Sequence, residues 1–320
     1  MRIRLGYVAI ALNLKNVTTS STVTFANYNK IKNEEEKLKK LKSVTFSNLD
    51  DLETILKYNM ENNIHFYRLT SKLIPLSTHP EVTWQYEKYF SKELYRIGQT
   101  IKQSNMRVDF HPDQFNVINS VKDKVVEDTI RNLNHAIDLY DLMDYKDGKL
   151  VIHTGSSAGG KDESIMRFIS NFKVLPKSVR QRLILENDDK IFTAKDVLGI
   201  CEEINIPMVL DIHHHNCKNE GYNIKDLLPR IFDTWNKENL PPKIHFSSPK
   251  DGELDRKHSD YIDVNEFVKF LELSKETINR DFDVMIEAKK KDQALFKLMK
   301  DLSKINYRCK FIDNSTIEIQ

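Results

Sequence analysis

The hydrophobic positions of this chain come in short dense runs, separated by longer stretches where apolar residues recur every three or four places. The runs are residues 3–8 (IRLGYV), 65–71 (HFYRLTS), 107–110 (RVDF), 149–153 (KLVIH), 182–186 (RLILE), 207–212 (PMVLDI), 243–246 (KIHF) and 283–288 (DVMIEA). Short runs of Val, Ile, Leu and Phe bounded by polar segments are what strands buried on both faces of a parallel sheet require. Between them, helical spacing predicts helices at about 83–103, 123–143, 163–174, 194–204, 224–236, 264–274 and 293–304. The first interval differs. Residues 13–48 are polar and too long for an ordinary connection, so they read as a functional loop plus a helix. The charged run 34–42 has the composition of a solvated helix face. A separate helix then runs to about Asn62, with Asn48 or Asp50 as its N-cap. Residues 307–320 carry no clear pattern.

Eight strands alternating with eight helices predict a closed (β/α)8 (TIM) barrel, formed as one domain over residues 1–320. An open doubly wound sheet is the alternative, but no glycine-rich phosphate fingerprint follows the first strand. Composition changes this picture little. Of 320 residues, 40% are hydrophobic and 30% charged, enough for a sizeable core. No apolar run has the length of a membrane span, and residues 1–15 lack a signal-peptide core, so a cytoplasmic protein is expected. Cys201, Cys217 and Cys309 are too widely spaced for a zinc ribbon or disulfide framework, which fits a reducing compartment. A net charge of +2 neither requires nor excludes nucleic acid.

The barrel reading directs attention to the C-terminal strand ends, where this fold places its chemistry. Those ends carry Tyr7, Ser71, His111, His153, Glu186, Asp211, His245 and Glu287, mostly imidazoles and carboxylates. The densest stretch is PMVLDIHHHN at 207–216, where a strand runs into Asp211 and then His213, His214 and His215. Carboxylates can bridge two cations while neutral imidazoles complete the coordination, a donor mix suited to Mn²⁺, Fe²⁺ or Zn²⁺. Paired cations in such a site can activate water and stabilise the leaving oxygen of a phosphodiester. Singly, each residue has a plainer explanation. His153 could be a core histidine, Glu186 a capping acid, His111 a turn residue fixed by Pro112, and His258 a surface residue. Glu287 could pair with Lys289 or Lys290. All would have to hold together for the site to vanish.

The motifs LGY (5–7), STHP (77–80), FHPDQF (110–115), VIHTGSSAGGKD (151–162), LENDDK (185–190) and DIHHH (211–215) continue with KIHFSSPKDG (243–252), HSDYID (258–263) and MIEAKKKDQAL (285–295). In this order they resemble the UV damage endonuclease family, ATP-independent enzymes that nick DNA beside UV photoproducts. The resemblance implies a barrel related to endonuclease IV and xylose isomerase, holding up to three Mn²⁺ ions, with Zn²⁺ or Mg²⁺ as alternatives. It implies that His111, His153 and Glu186 hold one ion. Glu186, Asp211, His245 and Glu287 would hold the next, and His214 and His258 the third. At that third position Arg256 replaces an acid of endonuclease IV. Glu186, His79 and Lys243 carry over as catalytic residues, His79 near the scissile phosphate and Lys243 at a position carboxylated in similar enzymes.

The same resemblance gives Gln114–Phe115 as the pair inserted into the duplex at the lesion, with Phe in place of the family's Tyr. Tyr7 and Asn13 would line the lesion pocket, and Lys161, Lys250 and Lys289–Lys291 would touch phosphates. The implied reaction is metal-assisted hydrolysis immediately 5′ of cyclobutane pyrimidine dimers and (6–4) photoproducts in duplex DNA, leaving a 3′-hydroxyl and a 5′-phosphate. A cytoplasmic monomer, nucleoid-associated on DNA, is expected. Two other classes share parts of this pattern. An abasic-site endonuclease would use the same metals with a pocket that excludes bases. A sugar isomerase would carry fewer histidines at the strand ends and no intercalating pair.

Overall fold

The computed structural model describes residues 1–305 and 307–320. Eight parallel strands are β1 (Arg2–Val8), β2 (Phe66–Leu69), β3 (Arg107–Phe110), β4 (Lys149–His153), β5 (Leu183–Glu186), β6 (Met208–Asp211), β7 (Lys243–Phe246) and β8 (Phe282–Ile286). Each pairs with its successor, and β1 pairs with both β8 and β2, so the sheet closes into the expected barrel. Around it lie α1 (Phe25–Lys30), α2 (Glu34–Glu61), α3 (Glu87–Gln103), α4 (Asp123–Leu142), α5 (Lys161–Val174) and α6 (Lys177–Arg182). They are followed by α7 (Ala194–Ile204), α8 (Ile212–Cys217), α9 (Ile224–Asp233), α10 (Val264–Thr277) and α11 (Lys291–Lys304).

Strand alternation sorts side chains between the barrel interior and the helix layer. On β1, Ile3, Leu5 and Tyr7 join the main core with Leu52 and Ile55 of α2 and Leu295 of α11. The opposite face carries Arg4, Gly6 and Val8, and Val8 packs against Phe66 and Met285. Along β4 the alternate residues are Lys149, Val151 and His153; along β8 they are Asp283, Met285 and then Glu287 just beyond the strand. Each sequence runs from charge, through an apolar layer, to a ligand-type side chain. The charges below are paired: Arg4 with Asp283 at 2.6 Å, Arg107 with Asp283 at 2.9 Å, and Lys243 with Asp109 at 3.0 Å. Phe66 lies under both the Arg107 guanidinium and the Lys243 ammonium.

Four local expectations change. First, α2 is one 28-residue helix capped by Asn33, not two helices. Asn48 and Asp50 lie inside it, because Leu41, Thr45, Asn48, Leu49, Leu52, Ile55, Leu56 and Asn59 form one continuous buried stripe beneath the charged surface. Asn48 instead anchors the preceding polar loop, donating to Ser21 O and Leu73 O and accepting from Ser21 N. Second, residues 177–182 are helical, so Arg182 precedes β5. Third, the histidines after β6 lie on the short helix α8, whose first turn is capped by the Asp211 carboxylate. Fourth, residues 307–320 contain β9 (Cys309–Phe311) and β10 (Thr316–Ile319), an antiparallel ribbon that pairs with the beginning of β1. Among the described residues no helix is long and apolar enough to cross a membrane.

A metal-ligand cluster at the barrel mouth

Glu186 is the hub. It is the last residue of β5, and its carboxylate is almost completely buried. Its Oε2 lies 2.9 Å from His111 Nε2 and 3.8 Å from His153 Nε2; its Oε1 lies 3.0 Å from His245 Nδ1 and 3.5 Å from His214 Nδ1. Asp211, at the end of β6, accepts from His214 N at 2.7 Å through Oδ1. Asn187 locks the tips of β5 and β6 together: its Oδ1 accepts from Asp211 N at 2.9 Å and its Nδ2 donates to Asp211 O at 3.0 Å. His214 Nδ1 lies 2.9 Å from Asn187 O, which fixes that ring beside Asp211. Glu287 closes the ring, with Oε1 3.2 Å from His245 Nδ1 and Oε2 3.9 Å from His258 Nδ1. Arg68 Nη1 donates to Glu287 Oε1.

The protonation states follow from burial and charge. Burial alone would raise the Glu186 pKa, but His245, His153 and the hydrogen bond with His111 outweigh it and hold the carboxyl well below its usual range. Glu287 is also depressed: Arg68 and His245 overcome burial. Burial pushes Asp211 up to about 6; His214 opposes this while Glu186 and Glu287 reinforce it. Burial would lower His214, but Asp211 and Glu186 raise it to about 9. Burial lowers His153 and His245 below the ordinary imidazole value, which favours the neutral, ligand-ready ring.

The cluster suits divalent cations. Three overlapping groups, His111–His153–Glu186, Glu186–Asp211–His214 and Asp211–His245–Glu287, each bring their donor atoms within 4.8 Å of one another. Asp211 Oδ2, His153 Nδ1 and His245 Nε2 are buried without a hydrogen-bond partner among the described residues. Such orphaned groups cost about 1–3 kcal/mol each, a penalty that a coordinated cation removes for the atoms it binds. The mixture of carboxylate oxygen and imidazole nitrogen, with no sulfur, suits Mn²⁺, Fe²⁺ or Zn²⁺.

Seven of the expected ligands therefore converge in these groups, and His258 stands at the flank beside Glu287. The other expected residues lie around them. His79 stacks on Phe25 at 3.9 Å between ring centres and lines a cavity of about 400 Å³ with Asp113, Arg131 and His135. Gln114 and Phe115 occupy the loop after β3; Phe115 is 76% exposed, and its N–H is held by the Asp113 carboxylate. Asn13 is exposed and bonded to Tyr58 and Gln293. Lys243 is buried two residues before His245, and its one ion pair among the described residues is with Asp109.

Tyr7 departs from expectation. It has no exposed surface, its hydroxyl donates to Asn59 Oδ1 at 2.7 Å, and its ring faces the helix layer, so it offers nothing to a bound lesion. Lys161 and Lys250 are engaged by acids, Lys161 with Asp196 and Glu220, Lys250 with Asp251 at 3.7 Å. Sequence reasoning missed Arg68 and Asn187. For Arg68 the signal was parity, since it stands two residues after the inward-facing Phe66 near a strand end. Asn187 lay beside Glu186 in LENDDK without any spacing that set it apart.

The fold and the site together define a (β/α)8 barrel whose mouth gathers histidine and carboxylate side chains that could hold metal ions. The crystal structure of SacUVDE superposes on it with a TM-score of 0.84 and 35% identity, covering 95% of this chain and 99% of that one. The UV DNA damage endonuclease of Bacillus pumilus (strain SAFR-032) is 40% identical over 320 residues, 99% of each chain. Endonuclease IV from Thermus thermophilus shares the fold at a TM-score of 0.56 and 12% identity, covering 79% of this chain and 94% of that one. Residues 3–318 match the UV-endonuclease UvdE family, and the chain belongs to it.

Proposed function

We propose that this protein is a DNA repair endonuclease that cuts the phosphodiester immediately 5′ of UV photoproducts, both cyclobutane pyrimidine dimers and (6–4) products. The cut leaves a 3′-hydroxyl and a 5′-phosphate in duplex DNA, needs no ATP and is made by a cytoplasmic monomer. The observation that carries this reading is the arrangement around Glu186, one ionised carboxylate serving two of the three ligand groups. Up to three Mn²⁺ ions held by His111, His153, Glu186, Asp211, His214, His245, His258 and Glu287 would supply Lewis-acid neutralisation of phosphate oxygens and a water nucleophile at neutral pH.

The chain's own residues do the rest. Glu186 keeps its charge in a nearly water-free setting, and Asn187 fixes the β5 and β6 tips that carry Glu186 and Asp211. The exposed Phe115 ring, beside Gln114, offers a flat face to fill the gap left when a photodimer leaves the stack. A photodimer already pairs and stacks poorly, so its extrusion costs less than that of normal bases, which supplies selectivity. His79 stands on a neighbouring mouth loop as a candidate contact to the phosphate, and Lys243 lies beneath His245 with its ammonium on Asp109.

A nicking assay tests the proposal. End-labelled duplexes carry one cyclobutane dimer, one (6–4) product, one abasic site or no lesion, with Mn²⁺ and without ATP. Cutting 5′ of either photoproduct, lost in Glu186→Gln, is expected. Cutting at the abasic site alone would give the protein an endonuclease IV-like activity instead.

A further inference from the structure

We infer that Arg68 is a phosphate-binding residue held in reserve on Glu287, and that exchange of Arg68 from Glu287 to a DNA phosphate couples cation loading to DNA binding. The inference rests on the nuclease reading above. Arg68 is rigidly based: its residue pairs with Val8 across the β1–β2 seam, and its carbonyl accepts from Ala9 N at 3.0 Å. Its side chain faces the mouth and remains 16% exposed. A guanidinium has five N–H donors, and the only side-chain partner of this one among the described residues is Glu287. The two arginines deeper in the barrel differ: Arg4 places two donors on Asp283, and Arg107 reaches Asp109, Asp283 and the Pro241 carbonyl.

Glu287 is claimed from two sides. It belongs to the Asp211–His245–Glu287 ligand group, and its Oε1, the atom Arg68 touches, is also the atom 3.2 Å from His245. A cation drawing on that oxygen competes with Arg68 for it. Lys291 stands on the same side of the mouth, half-buried and with no ion pair among the described residues; burial lowers its pKa and the nearby Arg68 lowers it further. Arg68 is paired with that carboxylate and Lys291 feels its charge, so a metal that takes it leaves both cations less well neutralised. A phosphodiester carries the single negative charge and the paired oxygens that a guanidinium fork accepts.

The exchange predicts a gain of binding that misfolding cannot imitate. Glu287→Gln removes the carboxylate charge from Arg68 without metal, so this variant in EDTA binds an undamaged duplex about tenfold tighter than wild-type protein, a coupling within the usual range. Arg68→Met in the Glu287→Gln background abolishes that gain, which separates freed Arg68 from a mere loss of negative charge. Arg68→Met alone lowers DNA affinity by about tenfold with Mn²⁺ and by much less in EDTA, and it binds Mn²⁺ several-fold tighter because its competitor for Glu287 is gone. Fluorescence anisotropy reads the DNA affinities and titration calorimetry the Mn²⁺ affinity. Equal DNA losses with and without Mn²⁺, unchanged or weaker Mn²⁺ binding, or a Glu287→Gln gain that survives Arg68→Met would each overturn the exchange. Nicking of a photodimer duplex by the wild-type protein is scored separately: its absence, with the binding pattern intact, refutes the endonuclease reading and leaves the exchange standing.

Discussion

Replacing Phe115 with alanine separates lesion recognition from folding. The ring is 76% exposed, so the folded protein derives little from it and Phe115→Ala shifts unfolding free energy by no more than about 0.5 kcal/mol. On DNA the same ring has nearly all its surface to bury. A buried aromatic side chain covers about 150–250 Å², of which roughly 110–190 Å² is still available here given the 76% exposure. At about 25 cal/mol per Å² that is an upper limit of about 3–5 kcal/mol. Aromatic–base stacking measured by alanine replacement gives about 1–3 kcal/mol. The lower range is the better guide, because the area figure omits the cost of ordering the loop. The expected loss in kcat/KM on a cyclobutane-dimer duplex is therefore about 5- to 150-fold. Phe115→Tyr keeps the face and stays near wild type. Thermal melts and single-turnover nicking, run on one preparation, provide both readouts. Undiminished nicking by Phe115→Ala, or a large fall in melting temperature with it, would refute the wedge role.

Other outcomes follow from the cluster and from the charges beneath it. Saturating Mn²⁺ raises the wild-type melting temperature by roughly 3–8 °C, and Glu186→Gln loses most of that shift, as calorimetric scans with and without EDTA would record. His214 has its folded pKa raised to about 9, so its contribution to metal-free stability is complete below its unfolded value and is lost as pH rises through about 9. Urea unfolding in EDTA between pH 6 and 10 should show this decline, at most about 3 kcal/mol and absent in His214→Gln, while Mn²⁺ affinity rises across the same window as that proton leaves. Asp109→Ala strands the buried Lys243 ammonium and costs about 3–5 kcal/mol in urea unfolding. A paired Asp109→Leu, Lys243→Met change should recover much of that loss.

The barrel was legible because its strands are buried on both faces, which compresses hydrophobic residues into runs such as LILE and MVLD that helices do not produce. The convergence of the candidate ligands was legible for a related reason: imidazole and carboxylate side chains ending so many of those runs have no place in a core. What escaped notice depends on pairing or on facing direction. Tyr7 stands one residue before the end of β1, but its parity sends it outward against Asn59. Arg68 has the inward parity, yet a strand arginine does not declare which acid it will meet, and Glu287 lies 219 residues away. The long α2 looked divided because its charged start masks the stripe that begins at Leu41. The β9–β10 ribbon is too short to show a period, and its partner is the beginning of β1.

That last pairing has a consequence for how the enzyme comes into being. β1 cannot complete its hydrogen bonding until β8 and β10 exist, and the Met1 amino group is held by Ile319 O, 318 positions along the chain. During synthesis the first strand therefore waits with an open edge, the situation in which slow, non-local folding is most exposed to misassociation. Glu287 is the last of the cluster ligands to be made, 101 residues after Glu186. At about 5–20 residues per second, roughly 5–20 s pass between them. A nascent chain thus carries only part of the ligand-type cluster and no closed barrel, and the complete cluster arrives only with closure, in one late step.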